Sequence, residues 1–266
     1  MFKIDFNPVA FKIANFAVHW YGIMYLLSFI SGWLLARYRL KKWQSIGCNY
    51  PFKIDQLDDL LFYIVLGVIL GGRIGYIIFY NLHYYVTNPA EIFALWHGGM
   101  SFHGGLIGVI LSCYLWTRKQ KLNFFSITDF IAPIIPIGLA AGRIGNFING
   151  ELWGRVTNVP WAVIYPKVDL QLRHPSELYE FFLEGIILFI ILWFFNCKNN
   201  RPKKATSAMF LLLYGCFRFI CEFFRQPDIQ LGIVFFGYLT RGQELCLIMI
   251  IIGLALLYYS YKNKIK

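Results

Sequence analysis

Seven apolar stretches recur along this chain, at roughly 18–38, 57–80, 92–117, 124–150, 177–196, 206–225 and 237–261, and each has about the 20 residues that cross a bilayer as a helix. No other feature narrows the fold as far, because a backbone in lipid must satisfy its own hydrogen bonds and spans the membrane as a helix or a closed barrel. Composition points the same way. Hydrophobic residues are 58% and charged residues 15% of the chain, against roughly 45–50% and about 25% in soluble domains. A globule of 266 residues has too little interior to hide that surface. The sequence predicts an all-α integral membrane protein with seven transmembrane helices, a single polytopic domain over 1–266.

A formal net charge of +11 would suit a nucleic-acid partner, but the positions of the cations argue against one. Arg37, Arg39, Lys41, Lys42 and Lys53 follow the first stretch; Arg118, Lys119 and Lys121 follow the third. Lys198, Arg201, Lys203 and Lys204 follow the fifth, and Lys262, Lys264 and Lys266 follow the seventh. Every second loop is thus basic, whereas 81–91 has no Lys or Arg. The positive-inside rule predicts a periplasmic amino terminus and a cytoplasmic carboxyl terminus. Residues 1–17, with Lys3, Asp5, Pro8 and Lys12, lack the layout of a signal peptide, so the first span is expected in the mature protein. Cys48, Cys113 and Cys197 lie near cytoplasmic ends and Cys216, Cys221 and Cys246 within spans, with no C-x-x-C pair. Neither a disulfide framework nor a metal site is expected.

Orientation and the helical rise turn polar residues into depths. Arg73 stands roughly 24 Å up the second span and His103 roughly 20 Å above the inner end of the third. Arg143 reaches a similar height. Arg218, Glu222 and Arg225, at i, i+4 and i+7, share one face of the sixth span; Glu177, Glu180 and Glu184 share one face of the fifth. His19 and Tyr21 open the first span, and Arg241 and Glu244 the seventh. Charged groups at depth must pair with one another or with a ligand. Convergence at one level predicts a wet chamber near the outer leaflet in which Arg73, Arg143, Arg218, Arg225 and Arg241 outnumber the carboxylates. Arginine grips phosphate in bidentate fashion, so the expected guest is an anionic lipid headgroup. Asp129, near the inner end, reads as a cap of its own helix start.

The run Trp96-His-Gly-Gly-Met-Ser-Phe-His-Gly-Gly-Leu-Ile-Gly108 is poor helix, because interior glycine costs about 0.5–1 kcal/mol relative to alanine. A broken or re-entrant segment near 97–105 is expected, with close packing through Gly104 and Gly108 as the alternative. His103 inside it suits proton transfer, the role histidine commonly takes in catalysis. His97 reads as interfacial. Residues 70–76, LGGRIGY, echo 140–146, AAGRIGN, which favours glycine packing with arginines turned inward. In 140–155, AAGRIGNFINGELWGR, Arg143, Asn146 and Gly150 share a helix face. His174-Pro-Ser-Glu177 reads as a capped helix start that accounts for Ser176 and Glu177, while the deeper Glu180 needs an arginine.

HWYG at 19–22, GGRIGY at 71–76, GGMSFHGG at 98–105, GRIGNFINGELWGR at 142–155, RHPSELYE at 173–180 and FRFICEFFRQPD at 217–228 together resemble the bacterial prolipoprotein diacylglyceryl transferases, over nearly the whole chain. The resemblance implies a seven-span inner-membrane enzyme with its site toward the periplasmic leaflet. Such an enzyme moves the diacylglyceryl group of phosphatidylglycerol onto the lipobox cysteine of a prolipoprotein signal peptide and releases glycerol 1-phosphate. Its partners are then phosphatidylglycerol, lipobox prolipoproteins and membrane lipids, with no cofactor and no metal. It further implies that Arg143 grips the headgroup, that Arg218 and Glu151 are needed for turnover, and that His103, Tyr21, Asn146, Glu180, Glu222 and Arg225 belong to the site; Arg73 is expected beside the headgroup on depth alone. His103 is the first candidate for general base, although an arginine-activated thiolate that needs no base fits the same chemistry. Two roles suit Glu151, orienting an arginine or binding headgroup hydroxyls. The outer segment Val156 to Leu172 is shorter than in many relatives, and neither His97 nor Glu244 has a place in the family pattern.

Overall fold

The computed structural model describes residues 2–14, 16–45, 52–196, 201–227, 233–234 and 239–265. Cys48, Cys197, Lys198, Asp228 and Lys266 lie outside the described residues. In chain order the elements are β1 (Phe2–Lys3), β2 (Val9–Ile13), β3 (Phe16–His19), α1 (Trp20–Ser45), α2 (Ile54–Tyr80), α3 (Leu82–Thr87), two 3-10 turns (Pro89–Phe93 and Leu95–His97) and α4 (Phe102–Lys119). There follow α5 (Phe124–Ile131), α6 (Ile135–Asn149), β4 (Val163–Ile164), β5 (Leu172–Arg173), α7 (Ser176–Asn196), α8 (Ala205–Glu222), β6 (Ile233–Val234), β7 (Leu239–Thr240) and α9 (Arg241–Ile265).

Among the described residues, four helices are long and apolar enough to cross a membrane: Ile54–Tyr80, Ser176–Asn196, Ala205–Glu222 and Arg241–Lys262. Phe124–Ile131 and Ile135–Asn149 qualify together as a pair bent by 50°. Helices also stand at the other two expected spans, but the polar positions of α1 and the glycines and late start of α4 leave them short of that standard. The third expected span, 92–117, is helical only from Phe102. Before it, Gly98 and Gly99 take φ of +78° and +81°, a left-handed backbone open to glycine at little cost.

The chain divides into two compact units, Ala36–Ile127 and Met1–Leu35 with Thr128–Lys266. Glycine builds the first. Gly67, Gly71 and Gly75 recur every fourth residue on one face of α2 and meet Gly104 and Gly108 of α4 backbone to backbone. A Cβ at Gly71 would stand 2.7 Å from Gly108 Cα, and one at Gly75 2.7 Å from Gly104 Cα. The GGRIGY motif is therefore a packing surface of the small-xxx-small kind. At the far end of the pair, Trp116 Nε1 donates to Asp59 at 2.8 Å.

In the second unit, a three-stranded sheet of order β1-β4-β5 pairs β1 parallel to β4 and β5 antiparallel to it. Its core of Ile4, Val163 and Tyr165 packs against Phe147, Trp153 and Val168. Further bridges join Val156 to Arg173 and Gly154 to Arg225, which ties the segment after α6 to the ends of β5 and α8. The expected all-helical chain thus carries short strands. Asp129 also departs from expectation. Its carboxylate accepts from Lys204 N at 2.7 Å and Ser207 N at 2.8 Å, so it caps the start of α8 and not of its own helix.

A buried arginine and carboxylate cluster

Helix α6 delivers Arg143 and then stops sharply. Gly150 adopts φ +68°, and the amides of Gly150 and Glu151 close onto Phe147 O and Asn146 O at 3.2 and 3.0 Å, a Schellman-type end that turns Glu151 back along the helix. Its carboxylate accepts from Asn146 Nδ2 and Asn149 Nδ2, each at 3.3 Å. Asn146 is buried and Glu151 exposed. Tyr21 of α1 lies against the same helix: a Cβ added at Gly145 would stand 2.9 Å from its ring.

Helix α7 brings the opposite charge. Glu180 closes a regular first turn and Glu184 lies in a π-helical stretch, Phe181–Ile187, a local widening frequent at functional sites. Arg143 Nε stands 2.8 Å from Glu180 Oε2 and Arg143 Nη2 3.1 Å from Glu184 Oε2. Helix α8 completes the set. Arg218 Nη1 contacts Glu180 Oε1 and lies 3.9 Å from Glu184 Oε1, its Nη2 is 2.7 Å from Glu222 Oε2, and Arg225 Nη1 is 3.6 Å from Glu180 Oε1. Glu222 also accepts from Thr240 Oγ1 at 2.9 Å. A Cβ at Gly242 would come within 2.7 Å of Glu222 Oε1, so glycine lets the start of α9 approach this carboxylate.

Three guanidinium groups face three carboxylates in the cluster, which corrects the expected excess of arginine. Burial is unequal within it. The side chains of Glu180 and Glu184 are 1% and 0% exposed, whereas Arg143 and Arg218 each keep 15%. Among the described residues, the carboxylates engage Nε and Nη2 of Arg143 and Nη1 and Nη2 of Arg218, which leaves Arg143 Nη1 and Arg218 Nε without an acceptor. A guanidinium has five such donors in a fixed fork.

Other expected members have partners of their own. Arg73 donates to the carbonyls of Glu91, Ile92, Ala94, Gly98 and Gly99 and lies 5.0 Å over the Tyr85 ring, so its fork is filled by the backbone of 91–99. Arg241 pairs with Glu244 at 2.7 Å, its side chain 54% exposed, and His97 pairs with Glu91 at 2.7 Å. His103 is exposed in the first turn of α4 with its ring against Phe102. Ser176 and Glu177 are not caps. Ser176 Oγ donates to Leu152 O at 2.9 Å, and Glu177 accepts from the Tyr165 hydroxyl at 2.7 Å. Burial and the Glu177 charge hold the Tyr165 phenol well above the usual tyrosine range. Glu184 and Thr240 are additions to the expected site. Only Glu184 had a signal, its place four residues after Glu180.

Several membrane-crossing helices sharing an internal network of opposite charges define a polytopic helical membrane protein. The family model for prolipoprotein diacylglyceryl transferase matches residues 8–259. The chain is 54% identical over 258 residues to the phosphatidylglycerol–prolipoprotein diacylglyceryl transferase of Coxiella burnetii strain RSA 331, covering 97% of each chain. It is 53% identical over 266 residues to that of Francisella tularensis subsp. tularensis strain FSC 198, covering 98% of this chain and 97% of the relative. The chain belongs to the prolipoprotein diacylglyceryl transferase family.

Proposed function

We propose that this protein transfers the diacylglyceryl group of phosphatidylglycerol to the lipobox cysteine of prolipoproteins, with its site in the periplasmic leaflet of the bacterial inner membrane. The observation that carries the reading is that the carboxylate contacts to Arg143 and Arg218 leave Arg143 Nη1 and Arg218 Nε without an acceptor among the described residues. Buried carboxylates fix both guanidinium groups before any substrate arrives, and the donors left over match the oxygens of a phosphodiester. The gathering of 15 of the 25 Lys and Arg residues in every second loop supports a seven-span path with the amino terminus outside.

In the reaction the cysteine sulfur attacks the glyceryl carbon bonded to the phosphate oxygen. The carbon–oxygen bond breaks, its electron pair leaves on oxygen, and glycerol 1-phosphate departs with one more negative charge than the diester carried; the thiol proton passes to a base. Arg143 and Arg218 stabilise the growing charge, an effect strengthened where water is excluded. Asn146, Glu180, Glu222 and Arg225 complete the headgroup site, Glu180 and Glu222 by orienting the arginines. Glu151, held by two asparagines, faces the headgroup, and Tyr21 lines it. His103, exposed in the first turn of α4, is the candidate base. Arg73 serves by holding the segment that leads to His103, not by gripping phosphate.

Incubation with radiolabelled phosphatidylglycerol and a lipobox peptide carrying Cys or Ser tests the reading. Label appears on the Cys peptide alone, with glycerol phosphate released. Lipid movement without label transfer would instead select a transporter.

A further inference from the structure

We propose that Ser176 is a positioning residue for the transfer reaction, its hydroxyl pinning the turn that presents Glu151 to the helix that carries Glu180 and Glu184. This rests on the role in turnover given to Glu151 above. Glu151 sits between two left-handed residues, Gly150 at φ +68° and Leu152 at φ +63°. Glycine takes that conformation freely, whereas leucine resists it. Something outside the turn must hold Leu152, and the bond from Ser176 Oγ to Leu152 O at 2.9 Å does so.

The geometry is specific. Ser176 is fully buried, follows Pro175 at the start of α7, and precedes Glu180 by one helical turn on the same face. A serine at a helix start commonly accepts from the first-turn amides; this one donates across to another segment. Glu151 thereby takes its position from the helix whose carboxylates fix Arg143 and Arg218. Other bonds secure the chain nearby: Gly154 N to His174 O at 3.0 Å, His174 N to Arg155 O at 3.0 Å and Arg155 N to Phe224 O at 2.8 Å. Loss of the hydroxyl therefore frees the Glu151 turn without unfolding the segment.

The test compares Ser176→Ala, Ser176→Thr, Glu151→Gln and the double variant Ser176→Ala/Glu151→Gln in purified full-length protein, with phosphatidylglycerol and a lipobox peptide. Misplacing a reacting group by an ångström can cost about a hundredfold, so Ser176→Ala should lower kcat by roughly ten- to a hundredfold. KM for phosphatidylglycerol should stay within about twofold, because Arg143 and Arg218, which hold the phosphate, keep their contacts to Glu180, Glu184 and Glu222. Ser176→Thr restores most of kcat, the melting temperature of Ser176→Ala stays at that of the parent, and the alanine change costs little more in the Glu151→Gln background. Where Glu151→Gln turns over too slowly to time, Glu151→Asp takes its place. Wild-type kcat in Ser176→Ala, a loss that tracks a lower melting temperature, or losses that multiply in the double variant would overturn the proposal. Wild-type turnover in Glu151→Gln would instead overturn the role given to Glu151, so the two failures are distinguishable.

Discussion

Glu180 is the hub of the cluster, and its isosteric replacement by glutamine has a calculable signature. One carboxylate, 1% exposed, stands 2.8 Å from Arg143 and 3.6 Å from Arg225 and touches Arg218. With an effective dielectric of about 20, the gross attraction is about 6 kcal/mol at the first distance and about 4.6 at the second. Glutamine keeps an acceptor and the arginines can turn toward Glu184 and Glu222, so most of that sum is recovered. Removing one partner from a buried ion pair costs about 3–5 kcal/mol, and Glu180→Gln should destabilise the protein by that order. The variant also leaves three guanidinium groups facing two carboxylates. An anionic phosphate then replaces the missing charge, so phosphatidylglycerol should raise the melting temperature of Glu180→Gln more than that of the parent, while zwitterionic phosphatidylcholine should raise both alike. Thermal unfolding followed by intrinsic tryptophan fluorescence in detergent, with each lipid titrated, reads both effects. A loss below about 1 kcal/mol, the range of an exposed pair, or equal responses to the two lipids would show that Glu180 is not the buried counter-charge of these arginines.

Two further outcomes follow from packing and burial. Gly71→Ala should destabilise by about 1–3 kcal/mol, because its new Cβ meets Gly108 backbone, whereas Gly105→Ala, whose nearest neighbour is 3.6 Å away, should be neutral or slightly stabilising; detergent melting of both decides. His174, its Nδ1 3.0 Å from the Tyr179 hydroxyl, is held below the usual histidine value by burial. The unfolded chain then binds the extra proton more readily, so the stability this residue confers is present above about pH 6.5 and declines as pH falls below it. Hydrogen exchange at the Gly154 and Arg155 amides, corrected for intrinsic rates, should quicken from about pH 7.5 to 5.5 and lose that dependence in His174→Gln; greater protection at the lower pH would contradict it.

The cluster was legible because a charge in an apolar helix has few lawful partners. Glu180 demanded an arginine, and the spacing of Arg218, Glu222 and Arg225 put all three on one face. Charge balance was not, since depth alone places groups at one level without saying which touch. Arg73 shows why: its partners are backbone carbonyls, which every residue owns and no pattern marks. Asp129 caps a helix start 75 residues away, a relation that a local capping rule misses. Strands of two residues carry no period to read, and β1 meets β4 only through tertiary contact. Glycine packing holds for the 70–76 copy of the echo, whose partner face, Gly67, Gly71 and Gly75, emerges only when it meets α4; in the 140–146 copy Gly142 has nothing within 4 Å, and Arg73 turns to the backbone of 91–99.

In the proposed reaction Arg143 and Arg218, held by Glu180, Glu184 and Glu222, bind the phosphate that departs. An experimental structure of the full chain with phosphatidylglycerol tests it most directly. Phosphate oxygens are expected within hydrogen-bond distance of both guanidinium groups while the contacts to Glu180 and Glu184 persist. A headgroup bound elsewhere, with both arginines still engaged only by their carboxylates, would contradict it.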